Sequence, residues 1–407
     1  MPKSLIKKNF DELLNFTTFT KDDIAIIDGT PKQRMEQLSR PNVKIFLMGF
    51  RRFTDDWKLI LEKHPTVNAL IVDEFHLGGY RSPKSRASTE LANALKKINY
   101  LLIMTGTLIS GRLDSCYMAI KMIEPRYYVN HFSFLNQHAL VDEYGNPYMW
   151  INHEKLGRIF KRHCIRRKFA EVYGAEEKII EKVLVEMCPA VQKAYDEFAA
   201  NAMLELDDEW LEANNPGVNA LRCRQILAHP ETFGLVKKDH TTGKDEMLEI
   251  DIVDAIERKE PIAIFSSLVP EQERIYKLAQ KLGARVGLIN GSVSGAARSK
   301  IDEAFRAGEL DIVIGSPATM AVGFNWSHIN TVIFVSIDYD NTNFVQAYRR
   351  GIRGVRTTPL RIRVYEYEKS IEQRMFEIVD KKSRDLSKVD DSYEKLELSK
   401  NIVDTLK

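Results

Sequence analysis

The sequence predicts an α/β fold: two parallel-sheet lobes, a helical middle region between them and a helical tail. Three observations carry this. Short apolar runs alternate with helix-like stretches over residues 1–131, the same alternation returns over 261–368, and residues 132–260 between them are charged and helix-like with few strand runs. Strands alternating with helices give a mostly parallel sheet with right-handed crossovers. At 407 residues with 44% hydrophobic side chains, the chain can bury real cores in two or three domains. Its formal net charge of +2 means that any nucleic-acid contact must come from local clusters of Lys and Arg. Cysteines 116, 164, 188 and 223 are too far apart for CxxC spacing, so free thiols, no zinc and no disulfide are expected. The start MPKSLIKKNF is not a secretory signal, and no apolar run approaches the ~20 residues of a membrane span. A cytoplasmic or nucleoid-associated protein is expected.

In the first lobe the strand candidates are residues 24–28, 44–50, 69–75 and 100–107, with a helical pattern over 90–97. The third candidate contains LIVDEFH, residues 70–76. An apolar run ending in two acids reads as a buried parallel strand that delivers them to the carboxyl edge of its sheet, where open α/β folds bind ligands. Two acids in mid-strand would put a charge into a core face; at the strand end both reach solvent or a metal. Asp73 is then a candidate Mg²⁺ ligand and Glu74 a candidate for orienting a water against a terminal phosphate. The plainer reading is a strand followed by a polar turn. The fourth run ends in Thr105, Gly106 and Thr107, which would lie beside the acids.

In the middle region, residues 158–168 carry six Lys and Arg residues. They read either as a solvated helix face or as phosphate contacts. Residues 214–217 and 239–244 read as loops. The second lobe offers the runs IAIFSS, RVGLING, DIVIGS, TVIFVSID and RIRVYEY, with amphipathic helices between them. QAYRRGIRGVR, residues 346–356, places Arg350 and Arg353 three apart on one helix face, an arginine-finger candidate for charge on a transferring phosphoryl group. An arginine-rich helix that is only solvated, or that faces nucleic acid, is the alternative. Residues 369–407 read as a charged, helical tail.

Taken in order, these blocks resemble the sucrose-non-fermenting (Snf) type ATPases of helicase superfamily two. MPKSLIKKNFDELLNF resembles their motif Ia and the helix after it, DEFH motif II and MTGT motif III. IRRKFAEV resembles the brace between lobes, and LRCRQILAHP the Leu-Arg and His-Pro block. IAIFSS, NGSVSGAAR, IGSPATMAVGFNW and QAYRRGIRGVR resemble motifs IV to VI, and SIEQRMFEIVDKK the closing brace helix. The resemblance implies two RecA-like lobes, ATP and Mg²⁺ as cofactors, and an ATP-dependent translocase or helicase acting on nucleic acid, double-stranded DNA foremost. It makes Asp73 the Mg²⁺ acid, Glu74, Arg350 and Arg353 catalytic, and His76, Thr105, Gly106, Thr107 and Gln346 the coupling and nucleotide-facing residues. Lys3, Ser4, Ser292 and Gly323 would touch the phosphodiester backbone, which needs positioning without base readout. Leu108, Met320, Ala321 and Arg356 depart from the family pattern.

The family carries a phosphate-cradling GxxxxGK[ST] loop before motif Ia, and no such string occurs in this sequence. The resemblance therefore implies a first lobe that is incomplete at its amino-terminal side, with the loop supplied by an upstream extension or a separate polypeptide. A nucleic-acid-binding or regulatory module that does not hydrolyse ATP is the alternative. Retention of both acids and both arginines favours the enzyme.

Overall fold

The computed structural model describes residues 1–80, 82–106, 108–109, 113–165, 171, 178–206, 209–212, 215–237, 240–320, 323–352, 356 and 358–389. The chain divides into two compact units, one of residues 1–165 and one drawn from residues 166–387. The middle region is thus shared between them.

All four expected strands of the first unit form: β1 (Ile24–Ile27), β2 (Ile45–Met48), β3 (Ala69–Asp73) and β4 (Tyr100–Met104). They make two parallel pairs, β1 with β2 and β3 with β4. The helix Phe50–Lys63 serves both pairs, because Ile60 packs with Ala25 and Ile27 while Trp57 packs with Ala94, Ile98 and Leu70. On the first pair the helix Ile6–Phe16 adds a second apolar layer against Ile24 and Leu47. The second pair has no such cover: Ile71, Tyr100, Leu102 and Met104, alternate residues of the two strands, remain 59%, 66%, 52% and 40% exposed. A parallel sheet is ordinarily buried on both faces. A hairpin of β5 (Ala139–Val141) and β6 (Pro147–Trp150) and the amphipathic helix His153–His163 complete the unit. Leu156, Ile159 and Phe160 face inward on that helix, while Arg158, Lys161 and Arg162 are exposed.

The second unit begins with a strand that the sequence pattern does not announce. β7 (Lys178–Val185) comes from the middle region and pairs along its whole length with β14 (Leu360–Tyr367). Its three charged residues, Lys178, Glu181 and Lys182, suit a sheet edge, where Glu181 meets Arg361 and Arg363. A second hairpin, β8 (Met203–Leu206) with β9 (Glu209–Glu212), also lies in the region expected to be helical. The five expected runs form β10 (Ile262–Phe265), β11 (Val286–Ile289), β12 (Ile312–Gly315), β13 (Thr331–Phe334) and β14. Every pair is parallel and the order is β11-β12-β10-β13-β14-β7.

Both faces of this sheet are buried, which explains its unbroken apolar strands. One face packs Ala263, Phe265, Val332 and Phe334 against Phe344, Met375 and Phe376 of the helices Asn341–Tyr348 and Ile371–Val389. The other packs Ile262, Ile264, Ile312 and Ile333 against Leu248, Ile252 and Ile275 of the helices Gly243–Arg258 and Val269–Lys281. Two stretches read as loops turn out to begin helices. Asn215 caps Pro216–Ala228 by accepting from Val218 N, and Thr242 caps Gly243–Arg258 in a reciprocal box with Asp245. The residues that favour turns also favour helix N-caps, so composition alone does not separate them.

Candidate functional site

In the first unit β3 delivers its acids as the apolar run demands. Asp73 is the last strand residue, half-buried and paired in register with Met104. Glu74 follows at φ 50° and ψ 50°, a left-handed conformation that costs a non-glycine residue about 1–3 kcal/mol. The turn turns Glu74 out of the strand direction and into a short 3₁₀ turn, Phe75–Leu77. Packing holds that turn: Phe75 stacks on Tyr80 at 4.9 Å, and Phe50 meets the same ring edge-on at 5.8 Å. Gly78 lies directly under Tyr80, where an added Cβ would come within 2.1 Å of the ring.

His76 links this turn to the end of β4. Its Nδ1 is 2.8 Å from Thr105 Oγ1 and 3.4 Å from Glu74 Oε2. The expected acids, coupling histidine and Thr105 are therefore one contiguous group. Gly106 borders it with open space where a side chain would be. Thr107 lies outside the described residues. Lys3, in the 3₁₀ turn Lys3–Leu5 that also holds Ser4, donates to Asp28 at 2.7 Å, and Arg52 Nε stands 3.6 Å from the same carboxylate. The Lys3 hydrogen bond holds Asp28 below the usual carboxylate range. Asp28 and Arg52 escaped the sequence reading because they lie on different segments and carry no motif.

In the second unit the sheet's switch point falls between β10 and β13, whose connections leave in opposite directions. It is closed by a buried polar knot: Ser266 Oγ and Ser336 Oγ both donate to Glu271 Oε2, and Ser336 Oγ accepts from Ser267 N. Beyond β13, Asp338 accepts from Asp340 N, and Asp340 caps the helix Asn341–Tyr348 by accepting from Thr342 N. Burial pushes the Asp338 carboxyl up. Arg224, from the Leu-Arg and His-Pro block, donates to Ile337 O at 3.1 Å. The signal for these acids is the Asp-x-Asp spacing before a helix, visible in the sequence but not singled out there.

Gln346 is half-buried on that helix, and Arg350 follows it, buried, with a long contact of 3.4 Å from its NH1 to Phe324 O. Arg353 lies outside the described residues. Ser292, after β11, bends back so that its backbone N and hydroxyl both donate to Asn290 Oδ1, at 3.0 and 2.6 Å. Gly323 takes a φ of 90°, in the region that favours glycine. A phosphate-bound Mg²⁺ takes hard oxygen donors from one or two carboxylates. Asp73 and Glu74, adjacent at a half-exposed strand end, fit that requirement.

Comparison with known proteins places this geometry. The SNF2-related domain family matches residues 1–232, and the helicase conserved C-terminal domain family matches residues 244–354. The chain belongs to the SNF2-related family. This SNF2-related chain is 25% identical over 313 residues to chromodomain-helicase-DNA-binding protein 1-like of Danio rerio, covering 72% of this chain and 29% of that protein. It is 23% identical over 396 residues to an uncharacterized ATP-dependent helicase of Mycoplasma pneumoniae, covering 95% of this chain and 36% of that protein. It thus spans about a third of the length of these curated relatives. A solved Sulfolobus solfataricus SWI2/SNF2 ATPase core in complex with dsDNA aligns over 96% of this chain and 82% of its own, at 19% identity and a TM-score of 0.43. The described structure is of the α/β class, with a six-stranded parallel sheet in its second unit. Among the described residues no helix is long and apolar enough to cross a membrane.

Proposed function

We propose that this SNF2-related chain hydrolyses ATP with Mg²⁺ in response to double-stranded DNA and uses the turnover to translocate along it. The carrying observation is the group at the end of β3, where Glu74 is held left-handed beside Asp73 and His76 ties the turn to Thr105. Bound Mg²⁺ would neutralise developing phosphate charge, with Asp73 as its protein ligand. Glu74 then orients the attacking water and accepts its proton, while His76 and Thr105 transmit the state of this turn to the segment after β4. Arg350 and Arg353 of the second unit serve the transferring phosphoryl group, and Gln346 faces the nucleotide. Lys3, Ser4, Ser292 and Gly323 follow the phosphodiester backbone. No GxxxxGK[ST] string occurs among these 407 residues.

The test is DNA-stimulated ATP turnover by the chain alone and joined to a phosphate-loop segment, each with Glu74 intact and as Glu74→Gln. Turnover lost in Glu74→Gln with nucleotide binding kept is the expected result, because the amide keeps the shape but cannot take a proton. Turnover unaffected by the substitution removes Glu74 from its role. Salt-sensitive DNA binding with no turnover in any form would instead assign a non-hydrolysing nucleic-acid-binding module.

A further inference from the structure

Arg350 stands just past the helix Asn341–Tyr348, where the chain has left the helical pattern. Carbonyls at a helix end have no partner within the helix and must find one elsewhere. Here Trp326 N donates to Arg350 O at 2.8 Å, and Arg350 Nη1 reaches Phe324 O at 3.4 Å. Main chain and side chain of Arg350 thus both rest on the segment 323–328, which forms neither helix nor strand. In that segment Phe324 and Trp326 are the buried residues, and their rings stack at 5.0 Å with 18° between the planes. Trp326 is wholly buried and meets Phe305 edge-on at 5.5 Å. Its one side-chain donor, the indole Nε1–H, goes to Asp302 Oδ1 at 2.8 Å. Asp302 and Phe305, three apart, share a face of the helix Gly295–Arg306, and Arg306 Nε donates to Asp302 Oδ2 at 3.1 Å.

We propose that Trp326 is a positioning residue for Arg350, and that its indole bond to Asp302 sets where the Phe324–Trp326 segment holds that arginine. The catalytic consequence rests on the ATPase reading; the placement of Arg350 does not. Ring contacts are satisfied over centroid distances of about 4.5 to 7 Å, so packing alone leaves the indole room to slide. A hydrogen bond weakens steeply once bent or stretched, so the Asp302 contact removes that freedom. Trp326 carries both ends of the link: its side chain is tied to the helix Gly295–Arg306, and its main-chain N–H holds Arg350 O. Substitution can separate the parts. Phenylalanine at 326 keeps a ring for Phe324 and Phe305 but has no donor, asparagine at 302 keeps an acceptor oxygen without the charge, and alanine at 302 keeps neither.

Two measurements separate the placement from its catalytic consequence. In the 407-residue chain with isotope-labelled tryptophan, the signals of Trp326 are those that vanish in Trp326→Phe. Exchange of the Trp326 main-chain amide, the donor to Arg350 O, should quicken by at least ~10-fold in Asp302→Ala, while β10 and β13, followed by mass spectrometry, keep wild-type exchange. Asp302→Asn, whose amide oxygen can still accept from the indole, should leave that amide as in the wild type. An unchanged Trp326 amide in Asp302→Ala overturns the proposal. In the most active form from the Glu74 experiment, Asp302→Ala and Trp326→Phe should each lower kcat by ~10-fold or more with KM for ATP within ~2-fold, and Asp302→Asn should keep kcat within ~2-fold. Asp302→Ala should add nothing to a Trp326→Phe or an Arg350→Ala background. Losses that multiply with Arg350→Ala, or kcat kept with a loosened amide, overturn the positioning role in the reaction. A loosened amide in a protein with no turnover in any form overturns the ATPase reading and leaves the placement of Arg350 standing.

Discussion

Glu366 lies on β14 with its side chain almost wholly inaccessible, Lys182 Nζ 3.6 Å from one carboxylate oxygen and the same ammonium over the Phe376 ring at 4.4 Å. Burial, only partly offset by Lys182, pushes its pKa up to about 7. A carboxyl raised above its unfolded value favours folding most below about pH 4.5, and that contribution is lost as pH rises through about 7. Glu366→Gln, neutral at all pH values, should therefore raise the melting temperature by a few degrees at pH 8 and change it little or unfavourably at pH 5. Thermal unfolding at the two pH values checks this; equal shifts at both would remove Glu366 as the titrating group. Residues of this kind are the least legible from sequence. Asp73, Glu74 and His76 announced themselves because an apolar run ended in them. Arg356 stood out only as a departure from the family pattern, and its five acceptors, Ser327 O, Ile329 O, Asn330 Oδ1, Gly351 O and Thr358 O, did not, because they are scattered over two segments that only folding brings together.

The helix Gly243–Arg258 shows how an element is tied down. Thr242 and Asp245 close its capping box, Asp245 also meets Arg274 at 3.1 Å, and Lys244, the second residue of the helix, is 1% exposed. Its ammonium donates to Val335 O at 2.6 Å and Glu372 Oε1 at 2.7 Å, joining this helix to the end of β13 and to the helix Ile371–Val389. Removing one partner strands a buried charge, so Lys244→Ala should cost about 3–5 kcal/mol. Replacing both, as Lys244→Met with Glu372→Leu, should recover much of that loss. Urea unfolding of the single and double variants decides it, and a double variant less stable than the single one would show that the pair itself carries the joint. Strands were legible at this scale because short unbroken apolar runs bounded by polar turns suit strands buried on both faces. Helix starts were not, since Asn215 and Thr242 carry the same residue types as a turn. β7 was hidden because its charges, paired with Arg361 and Arg363 or turned toward Glu366, mask an apolar period.

Among the described residues the two units differ in how their parallel strands are joined and covered. The second has a six-stranded sheet covered on both faces, whereas the first has two separate pairs, one of them covered on a single side. Amides of β3 and β4 should therefore exchange faster than those of β10, β12 and β13, as hydrogen exchange can read directly. Duplex binding, if it uses Lys and Arg against phosphates as proposed, should weaken at least ~10-fold between 50 and 200 mM salt and vary little with base sequence. Affinity indifferent to salt would exclude that mode.

The exposed face of β3 and β4 has a consequence for handling the protein in concentrated solution. Ile71, Tyr100, Leu102 and Met104 form an apolar strip on a short parallel pair that has no further strand partner among the described residues. Such a strip, with open backbone groups beside it, is a template for edge-to-edge association and precipitation. Leu102→Lys places a charge in its middle without touching Asp73 or Glu74. It should lower light scattering at high protein concentration and raise the soluble yield on expression, with the β4 register and the turn at Glu74 unchanged.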